Sequence, residues 1–204
     1  MSERPKESWG SGDAYELWVG RWSRIVGEAF VDWLAIPPGQ TWGDVGCGTG
    51  ALGGCILGRS DPAGVLGVDR SEAYVCEARN RVGDARARFE VGDACALPWT
   101  TATCDVTVSG LVLNFVPDSD AMVHEMVRVT RPGGFLIAEF YNPLSLRGLA
   151  KTLAPHGKIA DAAHEGHVYT RFDSPLSVAR LLPPGCDVVD SRGVRIATPT
   201  AKLM

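Results

Sequence analysis

Asp44-Val45-Gly46-Cys47-Gly48-Thr49-Gly50 is the stretch of this chain best suited by residue type and spacing to hold a small molecule. Glycines at alternate positions permit a sharp backbone turn and leave no Cβ between main chain and ligand. A helix starting after the turn would add its first N–H groups and the positive end of its dipole. Such a turn accepts a flat molecule carrying a carboxylate or phosphate. The Gly-x-Gly-x-Gly spacing departs from the Gly-x-Gly-x-x-Gly of dinucleotide sites, although Gly53 supplies a looser third glycine. Alone, the run is equally consistent with a tight loop. Two acids give it meaning. Asp69 ends Gly67-Val68-Asp69, and Asp93 ends Val91-Gly92-Asp93. An acid roughly twenty residues beyond a glycine turn, at a strand end, is placed to accept from both hydroxyls of a ribose. Its charge makes those bonds stronger than neutral ones. Asp93 could accept from an exocyclic amine, and the Ala94 N–H could meet the ring. The plainer uses are a helix N-cap for Asp69 and a turn for Asp93. Their succession at neighbouring strand ends favours a ligand.

The elements that must carry these residues read as alternating strands and helices. Strands are expected up to Val45, at Gly64–Asp69, Arg88–Asp93, Asp105–Ser109 and Phe135–Phe140. Helices are expected after the glycine turn to about Leu57, from Ser71 with Val75, Ala78 and Val82 on one face, and from Asp118 or Ser119 with Met122, Met126 and Val129 inward. Arg128 and Arg131 suit the negative end of that last helix, and Arg131-Pro132-Gly133-Gly134 should stop it. Alternation with short links predicts a parallel sheet covered on both faces, with right-handed crossovers. Ligands on such sheets sit beyond the carboxyl ends of the strands, where strand order reverses. The glycine turn, Asp69, Asp93 and Ser109 then share one edge.

Residues 1–12 read as a disordered start and 13–204 as one domain. Within it, 13–36 forms an N-terminal helix in which Tyr15, Trp18, Arg21 and Trp22 could act as a lid, though sheet packing is the ordinary use of such a pattern. Residues 143–170 lack a clear period and carry three histidines, which marks them as a variable, acceptor-side segment. Pro175–Leu182 suggests a helix. Asp187–Asp190 and Val194–Ala197 flank Ser191-Arg192-Gly193 as a terminal hairpin.

The chain has 204 residues, 45% hydrophobic and 22% charged, enough for one domain with a real core. A net charge of -4 argues against a nucleic-acid surface. No apolar run is long enough to span a membrane, and the polar first residues are not a signal peptide. Six cysteines without a Cys-x-x-Cys pair fit free thiols in a reducing cytoplasm better than a disulfide frame or zinc site.

Taken together, Asp44–Gly50, Gly67-Val68-Asp69, Val91-Gly92-Asp93-Ala94 with Leu97-Pro98, Asp105-Val106 leading to Ser109, and Arg131–Gly134 closely resemble the class I S-adenosylmethionine-dependent methyltransferases. The likeness is to the subgroup similar to ubiquinone/menaquinone-biosynthesis methylases. It covers about residues 41–140, and Trp18–Arg24 also looks like the N-terminal helix of bacterial members. The resemblance implies a Rossmann-like, doubly wound α/β fold with a mostly parallel seven-stranded sheet and an antiparallel C-terminal strand. It implies S-adenosylmethionine as cofactor and a small-molecule acceptor. Asp44, Gly46, Cys47, Gly48, Thr49 and Gly50 would hold the donor, with Thr49 near its methionine part. Asp69 would take the ribose, Asp93 and Ala94 the adenine. Ser109, Gly110 and Leu111 would line the methyl-donor pocket, and Arg70 could stack near the adenine. The sequence departs from the family at Gly43, where an aliphatic residue is usual, at Cys104, where an aromatic is common, and at Leu182–Cys186.

The methyl of a sulfonium is already activated, so transfer needs in-line alignment and exclusion of water. A base is required only if the acceptor holds a proton. Candidate acceptor-side groups are Asn114, Tyr141 and His156, with Asn142, Tyr15, Trp18, His164 and His167 beyond them. His164-Glu165-Gly166-His167 is not the His-Glu-x-x-His zinc signature, and no metal is expected. Two other functions fit a similar sheet: a cofactor-binding module without transfer, and a nicotinamide oxidoreductase. The latter would need a tyrosine–lysine pair or a substrate domain that the sequence does not display.

Overall fold

The structure, a computed structural model, describes residues 21–141 and 173–191, with side chains from residue 24 onward. Along the chain lie α1 (Arg21–Leu34), β1 (Thr41–Val45), α2 (Ala51–Arg59), β2 (Gly64–Asp69), α3 (Glu72–Arg81), β3 (Ala87–Val91), β4 (Cys104–Ser109), a 3-10 turn (Leu113–Phe115), α4 (Ser119–Val129), β5 (Thr130–Ala138) and α5 (Pro175–Ala179). The expected alternation is present. Ser71 caps α3 by accepting from the Tyr74 N–H, and Asp118 caps α4 by accepting from the Ala121 N–H.

The described strands form one sheet in the order β3-β2-β1-β4-β5, with every pair parallel. Strand order therefore reverses between β1 and β4, the point beyond whose carboxyl ends sheets of this kind bind ligands in a crevice. The expectation of seven strands with an antiparallel last one is corrected: the described residues contain five parallel strands. Asp187–Asp190, expected as one arm of a hairpin, runs without strand pairing. The other arm, and the segment 143–170 with His156, lie outside the described residues, as do Tyr15 and Trp18.

Alternation along the strands sends side chains to two faces. Trp42, Val65, Val106 and Val108 pack with Val31, Cys55, Ile56 and Leu57 beneath α1 and α2, while Phe89, Val75, Ala78 and Cys47 extend this layer under α3. On the other face Val45 and Val68 meet Leu97, Trp99, Met122, Met126, Val129 and Leu181.

The departure at Gly43 has a packing reason. A Cβ there would lie 2.8 Å from Cζ3 of Trp99 and 2.9 Å from the Cys104 sulfur. The buried indole occupies the space that an aliphatic side chain on β1 would need, and the small Cys104 leaves room beside it. The Trp99 N–H donates to Glu90 Oε1 at 2.7 Å, so the ring is buried without losing its polar partner.

At the opposite, amino end of the sheet, Asp105 accepts from the Thr41 N–H at 2.7 Å and pairs with Arg131 at 2.6 Å. This motif acid fastens strand starts and lies away from the crevice. Arg131–Gly134, expected to stop α4 ahead of β5, lies within β5. Thr130 pairs with Cys104 and Phe135 with Val106, and the bulge between them holds Gly133 at φ +76°.

Candidate functional site

The turn after β1 adopts the conformation its glycines permit. Gly46, Gly48 and Gly50 have φ of +79°, +53° and +81°, values that L-residues with a Cβ rarely adopt. Gly46 also has no room: a Cβ would sit 2.3 Å from Val112 Cγ2. At Gly48 no atom of the described residues lies within 4 Å of where a Cβ would stand. The Gly46 and Cys47 N–H groups both donate to the Val68 carbonyl, at 2.8 and 2.9 Å, which moors the turn to β2.

Asp69 completes the moorings. Its Oδ2 accepts from the Gly48 N–H and its Oδ1 from the Ser71 N–H, each at 2.9 Å. The acid at the tip of β2 thus touches the glycine turn itself, on the crevice side. A carboxylate has about four acceptor positions, and these two N–H contacts take up two of them. Arg70 beside it is exposed. One strand further, Asp93 is exposed and ordered by its own turn: Oδ1 accepts from the Cys95 N–H at 2.9 Å and its carbonyl from the Ala96 N–H at 3.0 Å. Gly92 N–H donates to the Asp69 carbonyl at 3.0 Å, so the two acid-bearing strand ends are fastened to each other.

Asp44, at the end of β1, is 2% exposed, and its Oδ2 has no hydrogen-bond partner. Burial, then repulsion from Asp69, push its carboxyl up to about 7, against the opposing pull of the Gly53 N–H. Burial also pushes the Cys47 thiol far above its usual range, which removes it as a nucleophile at neutral pH. Thr49 is buried at the start of α2. Ser109 is buried too, and its Oγ donates to the Val45 carbonyl at 2.9 Å, pinning β4 to β1 at the crevice. Gly110 and Leu111 follow half-buried, with Leu111 at φ +60°. For a residue bearing a Cβ this is strained, as backbone beside ligand sites often is.

The expected acceptor-side groups assemble only in part. Asn114 is fully buried, and its Oδ1 accepts from the Tyr141 N–H at 2.7 Å. The Tyr141 ring packs edge-to-face on Phe115, centroids 6.0 Å apart. The Tyr141 carbonyl accepts from the N–H of Asp173, an acid 3% exposed that pattern reading did not single out. Its only signal in the sequence was a polar residue just before a helix start. A cavity of about 480 Å³ between α1, α2 and α3 meets the glycine turn at Thr49 and Gly50, and its lining among the described residues includes none of the strand-end acids.

These features fit the expected donor. An adenosyl ligand with a cationic amino-acid end needs a Cβ-free cradle, an acid for its ribose and an acceptor for its ammonium. Gly48 would supply the first, Asp69 the second, and the orphaned oxygen of buried Asp44 the third. Among the described residues no group of histidines, cysteines and acids could hold a metal.

Comparison with known proteins agrees with this geometry. Residues 43–138 match the model of a methyltransferase domain. The chain is 32% identical over 198 residues to the ubiquinone/menaquinone biosynthesis C-methyltransferase of Dinoroseobacter shibae, covering 88% of this chain and 79% of that one. It is 37% identical over 136 residues to the enzyme of the same name from Cereibacter sphaeroides, where it spans 51% of the relative's length. Its fold is similar, at a TM-score of 0.62 and 21% identity, to a Thermotoga maritima S-adenosylmethionine-dependent methyltransferase, over 83% of this chain and 72% of that one. The relatives named are methyltransferases, neither passive binding modules nor oxidoreductases. The chain belongs to the S-adenosylmethionine-dependent methyltransferases, with S-adenosylmethionine as its methyl donor.

Proposed function

We propose that the enzyme methylates a small, electron-rich aromatic acceptor of the hydroquinone type. The observation that carries this reading is the aromatic pair Phe115 and Tyr141, held by Asn114 where β4 and β5 leave the sheet. Ser109 pins β4 to β1, and the Glu139 N–H donates to the Ser109 carbonyl at 3.0 Å. That places the pair on the same edge as the glycine turn. Flat aromatic surfaces favour a ring that stacks or packs edge-on. The two quinone-biosynthesis methyltransferases to which the chain is similar support the same class.

The donor supplies an activated methyl group. In our reading the residues of the chain hold and aim it. Asp44 and the Gly46–Gly50 turn, with Cys47 and Thr49, seat the amino-acid end. Asp69 accepts from the ribose and Asp93 from the adenine, with Ala94 N–H and Arg70 beside it. Ser109, Gly110 and Leu111 form the floor toward the methyl. Asn114 and Tyr141 orient the acceptor ring, and His156 is the candidate for taking a phenolic proton. Alignment of this kind can supply about 7–11 kcal/mol of the barrier. We place the reaction in the cytoplasm: all six thiols are free, and no described helix is long and apolar enough to cross a membrane.

The test is incubation with S-adenosylmethionine and a panel of hydroquinones, catechols, amines and thiols, read by mass spectrometry. Methylation of hydroquinones above the other classes is expected. Methylation of amines or thiols alone would overturn the acceptor assignment while leaving the enzyme class intact.

A further inference from the structure

We propose that the Glu125–Arg128 pair of α4 is a positioning device for base recognition: it fixes the main chain of residues 97–99 and so aims the Asp93–Ala94 turn at the adenine. This rests on the reading that Asp93 and Ala94 meet the base. Leu97 N–H donates to Glu125 Oε2 at 2.7 Å. Arg128 donates to Glu125 through Nε at 2.6 Å and Nη2 at 2.7 Å. The same guanidinium donates to the Leu97 carbonyl at 3.0 Å and the Trp99 carbonyl at 2.9 Å. One forked side chain therefore grips a carboxylate and two carbonyls at once, which a lysine's single point charge does not reproduce.

The grip matters because of what lies on either side. Gly92 is fastened to the Asp69 carbonyl, and Leu97 is fastened to α4. Residues 93–96 span these two anchors. Asp93 is exposed; among the described residues its Oδ1 accepts from the Cys95 N–H of its own turn, and the Cys95 thiol donates to the Asp118 carbonyl at 3.4 Å. Leu97 and Trp99, at the gripped end, are buried, and the Trp99 indole is tied to Glu90 on β3. Release of the α4 grip frees the main chain of Leu97 and Trp99. It leaves that end of the turn to the Cys95 thiol's contact with the Asp118 carbonyl and to the buried Leu97 and Trp99 side chains, so the Asp93 carboxylate is less sharply aimed at the exocyclic amine. Positioning errors of about 1 Å carry large costs in such sites.

A pair that only stapled a loop to the core would change stability and nothing else. The readout is therefore discrimination between S-adenosylhomocysteine and S-inosylhomocysteine, which carries a carbonyl in place of the exocyclic amine. Titration calorimetry and thermal unfolding are run on the wild type, Arg128→Met, Glu125→Gln and Asp93→Asn. Arg128→Met is expected to weaken S-adenosylhomocysteine binding about tenfold, the equivalent of one misaligned hydrogen bond to a charged group, and to compress the preference over the inosyl analogue at least threefold. Glu125→Gln, which keeps an acceptor for Leu97 N–H, is expected to fall between Arg128→Met and wild type. If Asp93→Asn compresses the preference but Arg128→Met and Glu125→Gln keep it whole and only melt lower, the positioning role is overturned and the base assignment stands. If Asp93→Asn leaves the preference unchanged, the base assignment fails and the positioning role with it. Should Arg128→Met not fold, Glu125→Gln decides by the same criterion.

Discussion

Asp44 shows how much one buried carboxylate can govern. Its carboxyl, raised to about 7 by burial and by the Asp69 charge, lies well above the 3.8 of an exposed acid. Between those values the folded chain keeps a proton that the unfolded chain has released. Stability of the ligand-free protein therefore falls as pH rises from about 4 to 7, by on the order of 4 kcal/mol from this group. In the proposed donor site binding would run the other way, because the ionised carboxylate is the form that accepts from an ammonium. We expect Asp44→Asn to melt higher than wild type at pH 8 and to flatten the pH dependence of S-adenosylhomocysteine affinity. Thermal unfolding and titrations from pH 5 to 8 check both; a variant that melts lower at pH 8 would contradict the unpaired-carboxylate account. The motif made Asp44 visible in the sequence as a donor-site residue. Its missing hydrogen bond depends on which N–H groups the folded turn leaves within reach, and pattern cannot show that. Asp173 went unseen for a similar reason: its neighbour Tyr141 is distant in sequence.

At the scale of elements, α2 separates two kinds of glycine. A Cβ at Gly53 would meet the Phe89 ring at 3.3 Å, so this position lets helix and sheet approach closely. At Gly54 no atom of the described residues lies within 4 Å of where a Cβ would stand. Gly54→Ala is therefore expected to stabilise the protein by about 1 kcal/mol through helix propensity. Gly67→Ala, whose Cβ would fall 2.3 Å from the same Phe89 ring, is expected to destabilise it by about 1–3 kcal/mol through overpacking. Urea unfolding measures both, and equal effects of the same sign would contradict this packing. The alternation of β2, α3, β3, β4 and α4 was legible because apolar strand runs alternate with helices that Ser71 and Asp118 cap from within their own sequence. Arg131–Gly134 follows the end of α4 at Val129, as its Pro and Gly imply, but β5 already begins at Thr130 and absorbs them in a bulge against β4. The exchange of bulk between Gly43, Cys104 and Trp99 joins three distant positions and has no local signature. We expect Gly43→Ala to destabilise wild type but to be better tolerated in Trp99→Leu, a coupling that a double-mutant cycle reads directly. Strict additivity would contradict it.

Over the whole molecule, the reversal of strand order between β1 and β4 turns separate local motifs into one edge. The glycine turn, Asp69 and Asp93 were in view from spacing alone, and the parallel sheet explains why such widely spaced residues converge. Strand count was less legible, since a weak apolar run such as Asp187–Asp190 needs a partner that local pattern does not supply. The acceptor side was less legible still, because its groups come from segment ends that share no motif. The central claim is that an adenosyl sulfonium is held by the turn and by the acid at the tip of β2. Titration of S-adenosylhomocysteine into wild type and Asp69→Ala, with thermal unfolding to confirm that both are folded, tests it most directly. Saturable binding that weakens at least tenfold on substitution is predicted, as befits a charged acceptor worth about 1.5–3 kcal/mol. An unchanged dissociation constant, or a wild type that binds NAD and not S-adenosylhomocysteine, would contradict it.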